Sequence, residues 1–256
     1  MKAALDWQIA MGVDEAVLDA PVDRFAESAE AAAAKTPKTN SKVSDTAVET
    51  GPDAIAVSKV AAAAAADLES LRAALEAYEL CDLKRGARQL VFADGFAGAR
   101  VMIIGEAPGR DEDQAGLPFV GRAGQLLDLM FSHIGLARTS QDTQSALYIT
   151  NVLPWRPPQN RDPKPDEVAM MLPFLEKHVD LANPDLIVAM GNHATNALLG
   201  KTGITRLRGN WTEALGRPVL PMFHPAYLLR NPAAKREAWA DLLELSARLD
   251  GKGKGT

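Results

Sequence analysis

The chain has one cysteine, Cys81, in 256 residues. No disulfide can close within it, and no metal cage built on several thiolates can form. No run approaches the ~20 apolar residues that a membrane-spanning helix needs. Asp6, Asp14 and Glu15 interrupt any export-signal core near the start. Basic charge is not in excess: the formal net charge is −5 and the isoelectric point lies near 5.5. That balance speaks against a nucleic-acid partner, because such proteins usually carry a basic surface. Gly105 to Gly109 is too short for a Walker loop and lacks its lysine. There is no Gly-x-Ser-x-Gly elbow for an esterase. The 4 histidines lack metal-ligand spacing.

What is present is unevenly placed. Of 44 alanines, 20 lie before residue 67. Residues 1–66 carry 6 basic and 10 acidic residues, and residues 67–256 carry 22 and 23. The part expected to fold is therefore close to neutral. Residues 1–20 read as a short amphipathic helix with Leu5, Ile9, Val13 and Val17 on one stripe. It either packs on the main domain or docks a protein partner. Residues 21–66 read as an Ala-rich flexible linker, poor in large apolar residues. Residues 67–250 form the expected domain and 251–256 a flexible tail. With a lone thiol and no membrane segment, a cytoplasmic monomer is expected.

Within the domain, apolar runs alternate with helical patterns. Val101 to Ile104, Tyr148 to Val152, Leu186 to Met190 and Pro218 to Phe223 read as buried strands. Helical patterns cover 67–80, 124–134, 166–181, 192–199 and 233–249. Continuous apolar strands between helices imply an α/β fold, a parallel sheet covered on both faces. Ligands then bind at the C-terminal strand ends. The polar motifs fall at those ends. Gly105-Glu106-Ala107-Pro108-Gly109 follows the first strand, and Asn151 closes the second. Gly191-Asn192-His193 follows the third, and His224-Pro225-Ala226-Tyr227 the fourth.

Gly105-Glu-Ala-Pro-Gly, Gly116-Leu-Pro-Phe119-Val-Gly-Arg-Ala-Gly124, Asn151-Val, Arg156-Pro-Pro-x-Asn160-Arg161 and His224-Pro-Ala-Tyr227 occur in that order. Together they closely resemble the family 4 uracil-DNA glycosylases over roughly residues 67–249. The resemblance implies a three-layer α/β/α sandwich with a central four-stranded parallel sheet. It implies hydrolysis of the N-glycosidic bond between uracil and deoxyribose, leaving an abasic site in a DNA-repair reaction. Uracil-containing DNA would be the partner, with the base flipped into a pocket.

The resemblance also assigns residues. Phe119 corresponds to the ring that stacks on the flipped base, and Asn151 to the amide that reads it. An amide gives and takes one hydrogen bond, matching uracil O4 and N3–H. His224 corresponds to the essential histidine, a donor for the charge that builds on uracil O2. Gly105, Glu106 and Ala107 line the pocket. Pro225, Ala226, Tyr227 and Leu228 correspond to a segment that enters the minor groove and wedges into the gap left by the base. Arg230 would hold a phosphate. Glu112, Glu106 and Asn160 are candidates for orienting water, with Glu112 or Asn160 expected to do so. A non-catalytic uracil-DNA sensor is the alternative, disfavoured by the retention of His224, Asn151 and Phe119. Arg110 to Gly116 is acidic and without histidine, unlike the basic loop by which some relatives bond covalently to DNA.

One departure is clear. Family 4 members usually hold a 4Fe–4S cluster on four cysteines. Here Tyr78, Cys81, Trp155 and the Met170-Met171-Leu172 stretch stand at those places. One thiolate cannot hold a cubane, so no cluster and no other cofactor is expected. The acidic balance also loses weight as an objection, since most of it belongs to residues 1–66. Arg156, Arg161, Arg206, Arg208, Arg217 and Arg230 cluster in the segments nearest the proposed site, so a local positive groove is compatible with a near-neutral domain.

Overall fold

The computed structural model describes residues 53–251. The helix expected at 1–20, the linker up to residue 52 and residues 252–256 lie outside them.

The sheet is built from β1 (Asp94–Gly95), β2 (Val101–Gly105), β3 (Leu147–Asn151), β4 (Leu186–Met190), β5 (Thr212–Ala214) and β6 (Arg217–Met222). Their order is β1-β3-β2-β4-β6-β5. The inner strands β3, β2, β4 and β6 pair in parallel. β1 and β5 add antiparallel edges. The expected four-stranded parallel sheet is thus the centre of a six-stranded one. The edge strands have only two and three residues. They carry no apolar run, so periodicity has nothing to detect in them.

The helices are α1 (Ala54–Ala64), α2 (Leu68–Ala77), α3 (Leu83–Gly86), α4 (Arg110–Ala115), α5 (Arg122–Ser132), α6 (Pro165–Ala182), α7 (Gly191–Leu199), α8 (Ile204–Leu207), α9 (Pro225–Arg230) and α10 (Lys235–Leu249). They cover the sheet on both faces. Alternation along β2 shows why. Val101 and Ile103 join a core with Leu127 and Phe131 of α5 and Leu242 and Leu245 of α10. Met102 and Ile104 join the opposite core, with Leu71 and Leu75 of α2 and Phe174 and Leu175 of α6. Both faces being buried, β2, β3 and β4 have no exposed residue. The chain steps from β2 to β3 on one side and then crosses back to β4 on the other. This strand order puts the topological switch point at the C-terminal ends of β2 and β4, where a crevice opens.

Part of the expected linker is a helix. Asp53 caps α1 by accepting the Ile55 amide at 3.0 Å, and alanine has the highest helix propensity. Small buried residues, Ser58 and Ala62, let α1 pack against α6. The Tyr78 hydroxyl donates to the Ala54 carbonyl at 2.7 Å and ties α1 down. A helix that buries alanine and serine lacks the large apolar stripe by which amphipathic helices are read.

Candidate functional site

A cavity of about 450 Å³ opens at the switch point. Every inner strand except β4 sends a residue to it. Glu106 to Gly109 follow β2, Asn151 ends β3, and His224 follows β6 and precedes α9. Phe119, Glu112, Asn160, Arg161, Ala226, Tyr227 and Arg230 also line it. The expected pocket residues therefore converge, with Gly105 beneath them.

The floor is made by the parallel pairing of Gly105 with Asn151. A Cβ on Gly105 would sit 2.4 Å from Asn151 Oδ1 and 2.6 Å from the Phe119 ring. Glycine is what allows both side chains to lie over the strand end. The Asn151 carboxamide has no hydrogen-bond partner among the described residues, although the residue is buried. A carboxamide without protein partners on a cavity wall faces a ligand's groups or water. Phe119 stacks on His224 with ring centroids 5.4 Å apart and an interplanar angle of 26°. Phe119 itself has φ of 54°, a left-handed conformation that costs a non-glycine residue of order 1–3 kcal/mol. Such strain persists only where surrounding contacts hold it.

His224 caps α9: its Nδ1 accepts the Ala226 amide at 3.1 Å. Nδ1 is then unprotonated, and the neutral ring carries its proton on Nε2. Burial, helped by Arg230, pushes the ring's pKa down to about 4, against a smaller opposing pull from Glu112. The imidazole is neutral at pH 7 and remains a hydrogen-bond donor.

The three water candidates part company. Glu112 Oε2 accepts the Gly109 amide at 3.1 Å, and Oε1 accepts the Val120 and Gly121 amides at 3.0 Å each. Its carboxylate clamps the loop after β2 to the loop carrying Phe119, which makes it a positioning residue. Asn160 has φ of 53°, and its Oδ1 accepts Arg156 Nε at 2.8 Å. The Glu106 carboxylate accepts no hydrogen bond from a described residue, while its backbone carbonyl accepts the Leu153 amide at 3.0 Å. Its pKa is raised by burial, an effect opposed by His193 and reinforced by Asp162. His193 Nε2 lies 3.9 Å from Glu106 and 3.5 Å from Asp162. These three residues are the one group among the described residues whose donor atoms gather as a cation would require. Asp162 is largely exposed, and exposed acids gather this way without an ion. Asp162 did not stand out in the sequence, and His193 stood out only within the Gly191-Asn192-His193 motif; the two meet only in the fold.

Two expectations about DNA contact need correction. Leu228 is 0% exposed and packs with Phe223 and Ala238, and Pro225 is buried too. Neither side chain is presented as a wedge; α9 is amphipathic and turns them inward. Ala226, Tyr227 and Arg230 of the same segment do line the cavity. The positive groove is also smaller than its arginine count. Arg161 pairs with Glu167 through both Nη atoms, at 2.9 and 2.5 Å. Arg208 pairs with buried Asp241. Arg217 bonds Asn183 beside the start of β6, at the opposite end of the sheet. Arg230 and the paired Arg161 line the cavity, and Arg156 bonds Asn160 of its wall.

A doubly wound sheet with a cavity at its switch point, lined by an aromatic ring, an unpartnered carboxamide and a neutral histidine, defines an α/β protein with a candidate site at its C-terminal strand ends. The family model described as the uracil DNA glycosylase superfamily matches residues 92–243, and the chain belongs to that superfamily. Its relatives include the type-4 uracil-DNA glycosylase of Thermotoga maritima, 42% identical over 154 residues, covering 59% of this chain and 77% of that protein. That of Sulfurisphaera tokodaii is 37% identical over 179 residues, 66% of this chain and 79% of that protein. That of Archaeoglobus fulgidus is 38% identical over 185 residues, 69% and 89%.

Proposed function

We propose that this protein is a uracil-DNA glycosylase that flips uracil out of DNA and hydrolyses its N-glycosidic bond, leaving an abasic site. The observation that carries this reading is the unpartnered Asn151 carboxamide, which lines the cavity together with the Phe119 ring and His224. One amide face supplies an N–H to uracil O4 and an acceptor to N3–H. Cytosine offers an amine and a bare nitrogen there, so the same orientation mispairs. Phe119 supplies the stacking surface for the base.

As the bond breaks, charge collects on uracil O2. The neutral His224 Nε2–H donates to it, an interaction stronger in the transition state than in the ground state. Glu106 and Asn160 orient the attacking water, while Glu112 holds the loops between which it sits. Glu106, with its raised pKa, is the better-suited acceptor for the water's proton. Tyr227 and Ala226 occupy the rim against DNA, and Arg230 meets a phosphate. Incubation with uracil-containing DNA followed by alkali is expected to cut the strand at each uracil. Tight binding without cleavage would replace this reading with the non-catalytic sensor, a role that gives His224 no task.

The family resemblance implies a 4Fe–4S cluster, and the residues do not fit one. Tyr78, Cys81, Trp155 and Met171 are all buried in a single apolar cluster. Tyr78 packs edge-on against Phe174 with centroids 5.5 Å apart. Burial raises the pKa of the Cys81 thiol, which disfavours the thiolate a cluster needs. An apolar plug takes the cluster's structural place, with Tyr78 linking it to α1. Protein purified without oxygen is expected to contain no stoichiometric iron or sulfide, and Cys81→Ala is expected to keep its activity. Iron bound in stoichiometric amount and lost in Cys81→Ala would overturn the plug.

A further inference from the structure

We infer that Arg138, remote from the strand-end motifs, positions the base-stacking ring. It rests on the reading of Phe119 as that ring, and it concerns what keeps Phe119 in a left-handed backbone that its side chain disfavours. Arg138 lies between α5 and β3, and its side chain is only 12% exposed. Its Nη1 donates to the Pro118 carbonyl at 2.9 Å and Nη2 to the Phe119 carbonyl at 2.9 Å. The other edge of the guanidinium is held in turn. Nε donates to Asp128 of α5 at 2.7 Å, and Nη1 to Asp94 of β1 at 2.9 Å.

Two consecutive carbonyls are thus fixed by one rigid planar fork, which is anchored to a helix and to an edge strand. The far side of the same peptide is closed as well. A Cβ on Gly124 would lie 1.6 Å from the Phe119 oxygen, so α5 meets that carbonyl without an intervening side chain. Fixing the Phe119 carbonyl fixes its ψ side, and with it the direction in which the ring leaves the chain toward Gly105, Asn151 and His224. Lysine cannot do this, because a single ammonium does not span two carbonyls and two carboxylates in one plane.

The test is a double-mutant cycle on free uracil as inhibitor and on uracil-DNA as substrate. Arg138→Ala and Phe119→Ala are each expected to weaken uracil inhibition and to lower kcat/KM by about 100-fold, the order expected for a reacting group displaced by about 1 Å. Adding Arg138→Ala to Phe119→Ala is expected to change uracil inhibition little further, because the arginine acts through the ring. Guanidinium ion, and not ammonium at equal ionic strength, is expected to restore Arg138→Ala. Should Arg138→Ala fail to fold, Arg138→Lys keeps the charge between Asp94 and Asp128 and is expected to fold and still lose uracil inhibition. Additive effects overturn the inference, as does unchanged uracil inhibition in a folded Arg138 variant while Phe119→Ala loses it. If Phe119→Ala itself binds uracil normally, the reading of Phe119 falls first and this inference with it.

Discussion

Replacing His224 by alanine is expected to lower kcat/KM on uracil-DNA by about 10²–10³-fold, the loss typical of removing one donor from a developing oxyanion. The structure sharpens what kind of donor this is. Nδ1 is engaged by the Ala226 amide, so Nε2–H is the only proton a neutral ring can offer. The pKa of about 4 gives the sign of the pH dependence. Above it the ring is neutral, and below it the ring is charged. An enzyme that needed the imidazolium would lose activity as pH rises through about 4 and would be almost inactive at neutrality. A neutral donor works throughout the range above it. Activity between about pH 6 and 8 is therefore expected to show no fall assignable to His224. The fall that does occur is expected on the acid side, where Glu106, its pKa raised by burial, takes up a proton and stops accepting one from water. Retention of more than about a tenth of the activity in folded His224→Ala would take this histidine out of the reaction. A rate that climbs steadily toward low pH would instead restore the imidazolium.

The parts of this molecule legible in the sequence are those where local pattern and tertiary role coincide. β2, β3, β4 and β6 each carry an apolar run because both faces are covered, so the runs stand out. The C-terminal strand ends carry glycine, asparagine and histidine, and the fold brings Gly105, Asn151 and His224 together as expected. What escaped the sequence depends on partners far along the chain. α1 is bound by a tyrosine hydroxyl and by close approach of small residues, which leave no stripe. The charge of an arginine is visible, but its pairing is not. Arg161 and Arg208 look like DNA ligands until Glu167 and Asp241 are placed beside them. Leu228 looks like a wedge in a motif, yet a six-residue amphipathic helix buries it. Glu112 shows the same limit from the other side. A carboxylate in a catalytic motif suggests chemistry, and three backbone amides give it a structural task instead.

The second large effect is expected at a residue with no side chain. Gly105→Ala adds one methyl group at the end of β2, next to Asn151 on β3. The backbone there is an ordinary strand, so alanine meets no conformational penalty of its own. Its Cβ would meet Asn151 Oδ1 at 2.4 Å and the Phe119 ring at 2.6 Å, both far inside van der Waals contact. Something must move, and the two groups that can move are those proposed to read and to stack the base. Overpacking of this kind costs about 1–3 kcal/mol of stability, which a domain with two full cores withstands. Its effect on the reaction is larger, because displacing a bound reactant by about 1 Å costs on the order of 100-fold in rate. The variant is expected to melt only modestly below the parent, to be inhibited weakly by uracil and to lose at least that factor in kcat/KM. The pairing of a small loss of stability with a large loss of uracil affinity separates a filled base pocket from a damaged fold. Normal uracil inhibition in Gly105→Ala would move the base site away from this strand end altogether.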